Sequence, residues 1–408
     1  MPFDSGDRTI LRDLATRVAE IASLPVMAAR RSMWKKHNAL ERVRPMILVF
    51  PEGSWRELLP TETLACKTAR AREMEWELRR RLYCHEHIPD DAVVEREWAV
   101  DRPYKVSGWG LEPISIPSSQ DTGAVRFEPV ICTSKDLRKL RCPEVTVNGR
   151  SNLMLDEVQE LLGDILDVRE RGVRCVSFHM MSVYCRLRGH ANVMMDMLTE
   201  PEWLHEAMSF LANGYSSVLK QWQALNLLDL NNDGTYHSSG GVGYTNELPR
   251  PGYNPERIEP CDMWASAEAQ ELAGVSPELH EEFALQYERR LLGPFGLNGY
   301  GCCEDLTQKL DLVLSIPNIR RVSISPFADV ERCAEKLQAW CIFSWKPHPA
   351  HLVGHFDEPS IRAYIRRALE MTTGCVVEMI LKDTHTCESR PERFTRWTRM
   401  ARELAEQF

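Results

Sequence analysis

Leu297-Asn298-Gly299-Tyr300-Gly301-Cys302, Arg321-Val322-Ser323-Ile324, Cys341-Ile342-Phe343-Ser344 and Val376-Val377-Glu378-Met379-Ile380-Leu381 decide the fold of this chain. Each is a short, largely apolar run. Stretches with apolar residues at helical spacing separate them, over 305–316, 329–339 and 359–372, and a last helix is expected over 391–407. Strands joined through helices run parallel, because a crossover must return the chain to the same end of the sheet. Upstream the pattern continues through a helix over 157–171, a strand at Val173–Met180, a helix over 201–225, a strand at Leu227–Leu230 and a helix over 277–292. That count predicts a (β/α)8 TIM barrel over 123–408. Residues 1–122 read as a mainly helical N-terminal extension packed on the barrel. It holds two helices within 8–42, a strand between Pro45 and Pro51, a charged helix near 62–84 and a hairpin region up to 122. An open doubly wound sheet is the rival, but no glycine fingerprint follows an early strand.

Composition narrows the function classes. The chain has 408 residues, 43% hydrophobic and 27% charged, which suits a folded domain of this size. A formal charge of -9 without a long basic block argues against a nucleic-acid partner. No apolar span of membrane length and no export signal are visible, and 13 cysteines at irregular spacing fit a reducing, cytoplasmic setting.

Barrel chemistry lies at the C-terminal ends of the strands. Two polar clusters stand there, Tyr300-Gly301-Cys302-Cys303-Glu304 and Lys382-Asp383-Thr384-His385-Thr386-Cys387. Period-2 alternation puts Tyr300, Cys302 and Glu304 on one face and Asp383, His385 and Cys387 on one face of the other. Thiolate, imidazole and carboxylate aimed at one point suit a zinc ion with an open position. The same cysteines equally suit burial as small hydrophobes. A loop, Ser238-Ser239-Gly240-Gly241-Val242-Gly243, reads either as a backbone cradle for a phosphate or carboxylate or as a mobile glycine-rich segment.

Three further segments carry a resemblance: Ser134-Lys135-Asp136-Leu137-Arg138-Lys139-Leu140-Arg141-Cys142-Pro143, then Arg188-Gly189 with Asp196 and Pro201-Glu202, then Ser276-Pro277-Glu278 with Glu281-Glu282-Phe283. With Tyr300-Gly301-Cys302-Cys303 they resemble the uroporphyrinogen decarboxylase superfamily, in particular its corrinoid-dependent methyltransferase branch. That branch has His-x-Cys-Gly where this chain has Tyr300-Gly301-Cys302-Cys303, and it binds zinc through that histidine and cysteine and a later cysteine. The resemblance implies a zinc-dependent methyltransferase that moves a methyl group between a small methylated ether or amine and the cobalt of a corrinoid carried by a separate protein. Cys302 and His385 are its expected metal ligands. His237 is expected to complete the set in place of the missing histidine, with Glu304, Cys303 or Cys387 as alternatives. Glu304 and Asp383 are expected to move protons, and Tyr236, Tyr300 and Trp345 to wall the substrate. A homodimer is a further expected assembly. The alternative is a metal-free lyase acting on a carboxylated substrate, but the stretch after Arg44 offers a single arginine where the decarboxylases are arginine-rich.

Overall fold

Seven parallel strands form one sheet in the order Met46–Val49, Val376–Leu381, Ile342–Trp345, Ile319–Ile324, Leu297–Tyr300, Trp264–Ala267 and Ser177–Phe178. This computed structural model describes residues 3–119, 123, 125–147, 153–237 and 239–408, so the boundary drawn at 122 and the loop residue Ser238 lie outside the described residues. The first strand in the chain pairs with the last, Met46 opposite Glu378 and Val49 opposite Leu381. Such a wrap belongs to a TIM-barrel-like fold and not to a doubly wound sheet. Six of the seven strands run from residue 177 onward, and Met46–Val49 enters the same sheet from within the first 122 residues.

Among the described residues no eighth strand closes the sheet between Ser177–Phe178 and Met46–Val49. Asp90 and Asp91 occupy the free edge instead. The Ile47 N–H donates to Asp91 Oδ2 at 2.9 Å and the Val49 N–H to Asp90 Oδ2 at 3.0 Å, while the Asp91 N–H donates to the Ile47 carbonyl at 2.9 Å. Side-chain carboxylates thus take up donors that the carbonyls of a neighbouring strand would take, and a buried N–H must find some acceptor. Arg44 and Arg402 neutralise Asp91, at 2.6 and 2.7 Å.

Three strand assignments change. Trp264–Ala267 is a central strand that the sequence conceals, because Trp-Ala-Ser-Ala lacks the β-branched residues that mark strands. Leu227–Leu230 makes only an isolated bridge, Val173 with Leu228. The helix expected over 157–171 ends early: Leu153–Leu162 is helical, and Asp167–Arg171 is a strand paired with Glu97–Asp101. Tertiary pairing overrides local preference there.

The N-terminal helices Ser5–Ala22 and Ala69–His87 pack together over a separate core that includes Leu11, Leu14, Val18, Met74, Leu78 and Leu161. Asp4 caps the first, accepting the Asp7 N–H at 2.8 Å. Between them the helix Pro25–Asn38 delivers His37 and Asn38 into the barrel: Asn38 Nδ2 donates to the Val242 and Tyr244 carbonyls at 2.8 and 2.7 Å. No described helix is long and apolar enough to cross a membrane.

The barrel interior is polar. Arg321 and Glu378, both 0% exposed, form an ion pair at 3.0 Å, and His37 Nε2 lies 3.2 Å from the other Glu378 oxygen. The glycine-rich loop fills the space beside them. A Cβ on Gly240 would lie 1.9 Å from Ser344 Oγ, and one on Gly241 2.4 Å from Glu378 Oε2. Its glycines serve close backbone approach to inward side chains of the sheet, which leaves no room for a phosphate between loop and sheet.

Candidate active site

Alternation along Leu297–Tyr300 fixes what faces the interior. A Cβ on Gly299 would meet Ser239 Oγ at 1.9 Å, so Gly299 points inward and Tyr300 outward. The Tyr300 hydroxyl accordingly donates to Glu288 at 2.7 Å and meets His280 Nε2 at 2.8 Å, in the layer between strand and helices. Trp345 likewise packs outward against Tyr364, with ring centroids 5.3 Å apart. Neither therefore forms the wall assigned to it. Tyr236 is half-buried against Phe50, 4.5 Å between centroids.

Past Tyr300 the chain turns through Gly301, whose φ of 91° a side chain rarely adopts, and sets Cys302 at the strand's C-terminal end. Its carbonyl accepts from Ser323 Oγ at 2.7 Å and its N–H donates to Glu304 Oε2 at 2.8 Å. Lys382 Nζ lies 3.6 Å from Cys302 Sγ, Cys303 Sγ lies 3.5 Å from it, and Asp383 Oδ2 lies 3.6 Å from Cys303 Sγ. Charge is thus arranged to favour ionisation at Cys302 over Cys303. The hydrogen bond from Cys303, with Lys382 and Lys346 outweighing burial, draws the Cys302 thiol below its ordinary value. Burial, with Glu268 nearby, pushes the Glu304 carboxyl up to about 7. Asp383 donates its N–H to Glu52 Oε2 at 2.8 Å.

The concealed strand supplies a residue that sequence reading missed. Phe178 pairs with Ala267, so the residues that follow, His179 and Glu268, stand side by side, His179 Nδ1 2.6 Å from Glu268 Oε1. Only recognition of Trp264–Ala267 as a strand would have placed Glu268 at a strand end.

Zinc needs three or more donors around one point. Among the described residues no group of three or more His, Cys, Asp and Glu side chains is placed to hold a metal ion. His237 is 4% exposed and lies against Trp264, where burial draws its imidazole down to about 3. His385 is exposed beside Gly53, and Cys387 turns to Glu57, its Sγ 3.2 Å from Oε2. The Lys382 ammonium already stands at Cys302 and would repel a cation there. As placed, Cys302, His237 and His385 do not make a zinc site.

The thiolate assignment has a direct test. Alkylation of Cys302 by iodoacetamide, followed by peptide mass mapping, should rise with a midpoint below the ordinary thiol value, and Lys382→Met should move that midpoint up. A wild-type midpoint at the ordinary thiol value would remove the assignment.

No protein-family profile and no curated protein matches the chain. Among solved structures, a methyltransferase from Methanosarcina mazei matches over 92% of this chain and 98% of its own, with a TM-score of 0.50 and 12% sequence identity. At that identity the likeness establishes the TIM-barrel-like fold.

Proposed function

We propose that this protein is a methyltransferase that moves a methyl group between a small methylated compound, an ether or amine, and the cobalt of a corrinoid carried by a separate protein. The observation that carries the reading is the placement of Cys302 at the C-terminal end of a central strand, its Sγ 3.6 Å from Lys382 Nζ and 3.5 Å from Cys303 Sγ, a setting that favours the thiolate. A soft anionic sulfur in that place can orient or accept a methyl group, while Glu304, raised to about 7, keeps a proton available near neutral pH. The fold shared with a methyltransferase and the resemblance in sequence support the same reading. A lyase acting on a carboxylated substrate has less support, because Arg44 is held by Asp91 and Arg321 by Glu378.

The test is anaerobic incubation with cob(I)alamin and a panel of methyl ethers and methylamines, following methylcobalamin by absorbance. Wild-type protein should methylate the cobalt from at least one donor, and Cys302→Ala should lower that rate at least about 100-fold, as for loss of a catalytic group. Inert wild-type protein would sink the proposal. Elemental analysis of protein purified without chelators addresses zinc separately: one zinc per chain, lost in Cys302→Ala, would mean that the loops around Cys302 close on a metal in solution.

A further inference from the structure

We infer that His179 donates the proton to the leaving oxygen of a methyl ether, with Glu268 as its positioning residue, an assignment that rests on the methyl-transfer reading above. The placement follows from the sheet. The pairing of Phe178 with Ala267 brings the two residues to adjacent strand ends, and the Glu268 N–H donates to the Phe178 carbonyl at 3.3 Å. The Glu268 side chain is 3% exposed and the His179 side chain 40%. The carboxylate therefore sits behind the ring, and the ring reaches solvent. Glu268 is itself fixed, its Oε2 accepting the Gln270 N–H at 2.9 Å while Oε1 holds His179 Nδ1 at 2.6 Å. A carboxylate on Nδ1 sets the tautomer and leaves the proton on Nε2 as the transferable one.

The charged groups around His179 agree. Glu268 and Glu271 follow the neighbouring strand, Cys302 ends the next one, and Tyr215 approaches the His179 backbone from the helix Pro201–Ala224. Burial alone would draw the imidazole down, but Glu268 first, then Cys302 and Glu271, outweigh it and hold His179 above its ordinary value. The ring therefore holds its second proton to higher pH than a free imidazole does.

The chemistry explains why such a donor is needed. In an ether the C–O bond breaks with its electron pair going to oxygen, cobalt(I) supplies the pair that forms the new bond to carbon, and the oxygen takes the proton from Nε2. Neutral His179 then regains a proton from water. A methylated ammonium leaves as a neutral amine and requires no such proton, so the pair points to ethers with basic leaving groups.

The experiment compares methyl phenyl ether with methyl 4-nitrophenyl ether, two donors of similar shape whose leaving groups differ in basicity. In His179→Gln the rate ratio of the first to the second should fall at least about 100-fold, within the range for a lost general acid. In wild-type protein the rate on methyl phenyl ether should drop as pH rises through the His179 pKa. In Glu268→Gln that limb should move to lower pH, in step with the His179 titration followed by NMR. Equal loss on both ethers in His179→Gln, or an unmoved limb in Glu268→Gln, would overturn the assignment while leaving methyl transfer standing. Wild-type protein inert toward every donor would overturn methyl transfer and this assignment together.

Discussion

Glu378→Gln should destabilise the protein by about 3–5 kcal/mol, the cost of leaving a buried charge without its partner. Arg321 and Glu378 are both 0% exposed, and no water can take the place of the lost carboxylate charge. Arg321 would keep its hydrogen bonds to Asn38 Oδ1, at 2.7 Å, and to the Val242 carbonyl, at 3.4 Å, the Trp264 ring 5.0 Å away and a neutral amide oxygen at position 378, but none of these supplies the lost negative charge. The pair has a pH signature as well. Burial opposes the Glu378 charge, but Arg321, then His37 and Lys346, outweigh it and draw the carboxyl from 4.5 down to about 2. A carboxyl with a depressed folded-state pKa adds stability that is fully present above its unfolded value. For Glu378 that contribution should fade as pH falls from about 4.5 toward 2, and Glu378→Gln should lack this part of the acid dependence. Urea unfolding of wild type and variant at pH 7 and across that window measures both effects. Replacing both members by methionine should cost less than the single change, since no charge is then left buried. An unchanged midpoint in Glu378→Gln would show that water reaches Arg321.

Gly241→Ala is the second large effect, expected at about 3 kcal/mol or more. A left-handed backbone costs a residue with a side chain about 1–2 kcal/mol, and overpacking adds about 1–3. Gly241 has φ of 62°, and its new methyl would stand 2.4 Å from Glu378 Oε2 and 2.5 Å from Arg321 Nη2. The ion pair cannot retreat, because His37 and Asn38 hold it from the other side. Thermal melts of Gly241→Ala beside Gly252→Ala separate packing from backbone strain. Gly252 also has positive φ, 83°, but nothing lies within 4 Å of a Cβ there. A loss in Gly241→Ala no larger than in Gly252→Ala would mean that the loop stands clear of the barrel interior. Melts of wild-type protein with and without added phosphate decide what the loop is for, since a phosphate cradle would be stabilised by the anion and a packed plug would not.

The segments that carry the family resemblance turn out to build the scaffold. Arg188 grips Asp196 with two hydrogen bonds, 2.8 and 2.9 Å, and lies over the Trp203 ring, which ties three successive helices together. Ser276 caps its helix by accepting the Leu279 N–H at 3.3 Å, with Pro277 next in line, and Phe283 is buried. These residues can persist wherever the barrel does, so they point to a fold more firmly than to a reaction.

Period and composition alone determined the parallel alternation from residue 297 onward, because Val376–Leu381 and its neighbours are buried on both faces and are therefore largely apolar runs. They also determined that Cys302 would end a central strand, since its position follows from where the apolar run stops. Facing was beyond them. Tyr300 and Trp345 were expected at the substrate, and the pleat turned both toward the helices, which only the packing of Gly299 on Ser239 and of Trp345 on Tyr364 reveals. Convergence was beyond them too. His237 and His385 carry suitable donors, yet one is enclosed against Trp264 and the other is exposed beside Gly53. Glu268 stayed hidden because Trp264–Ala267 owes its strand to pairing with neighbours on both sides, and a ladder formed across distant segments leaves no mark in the local sequence.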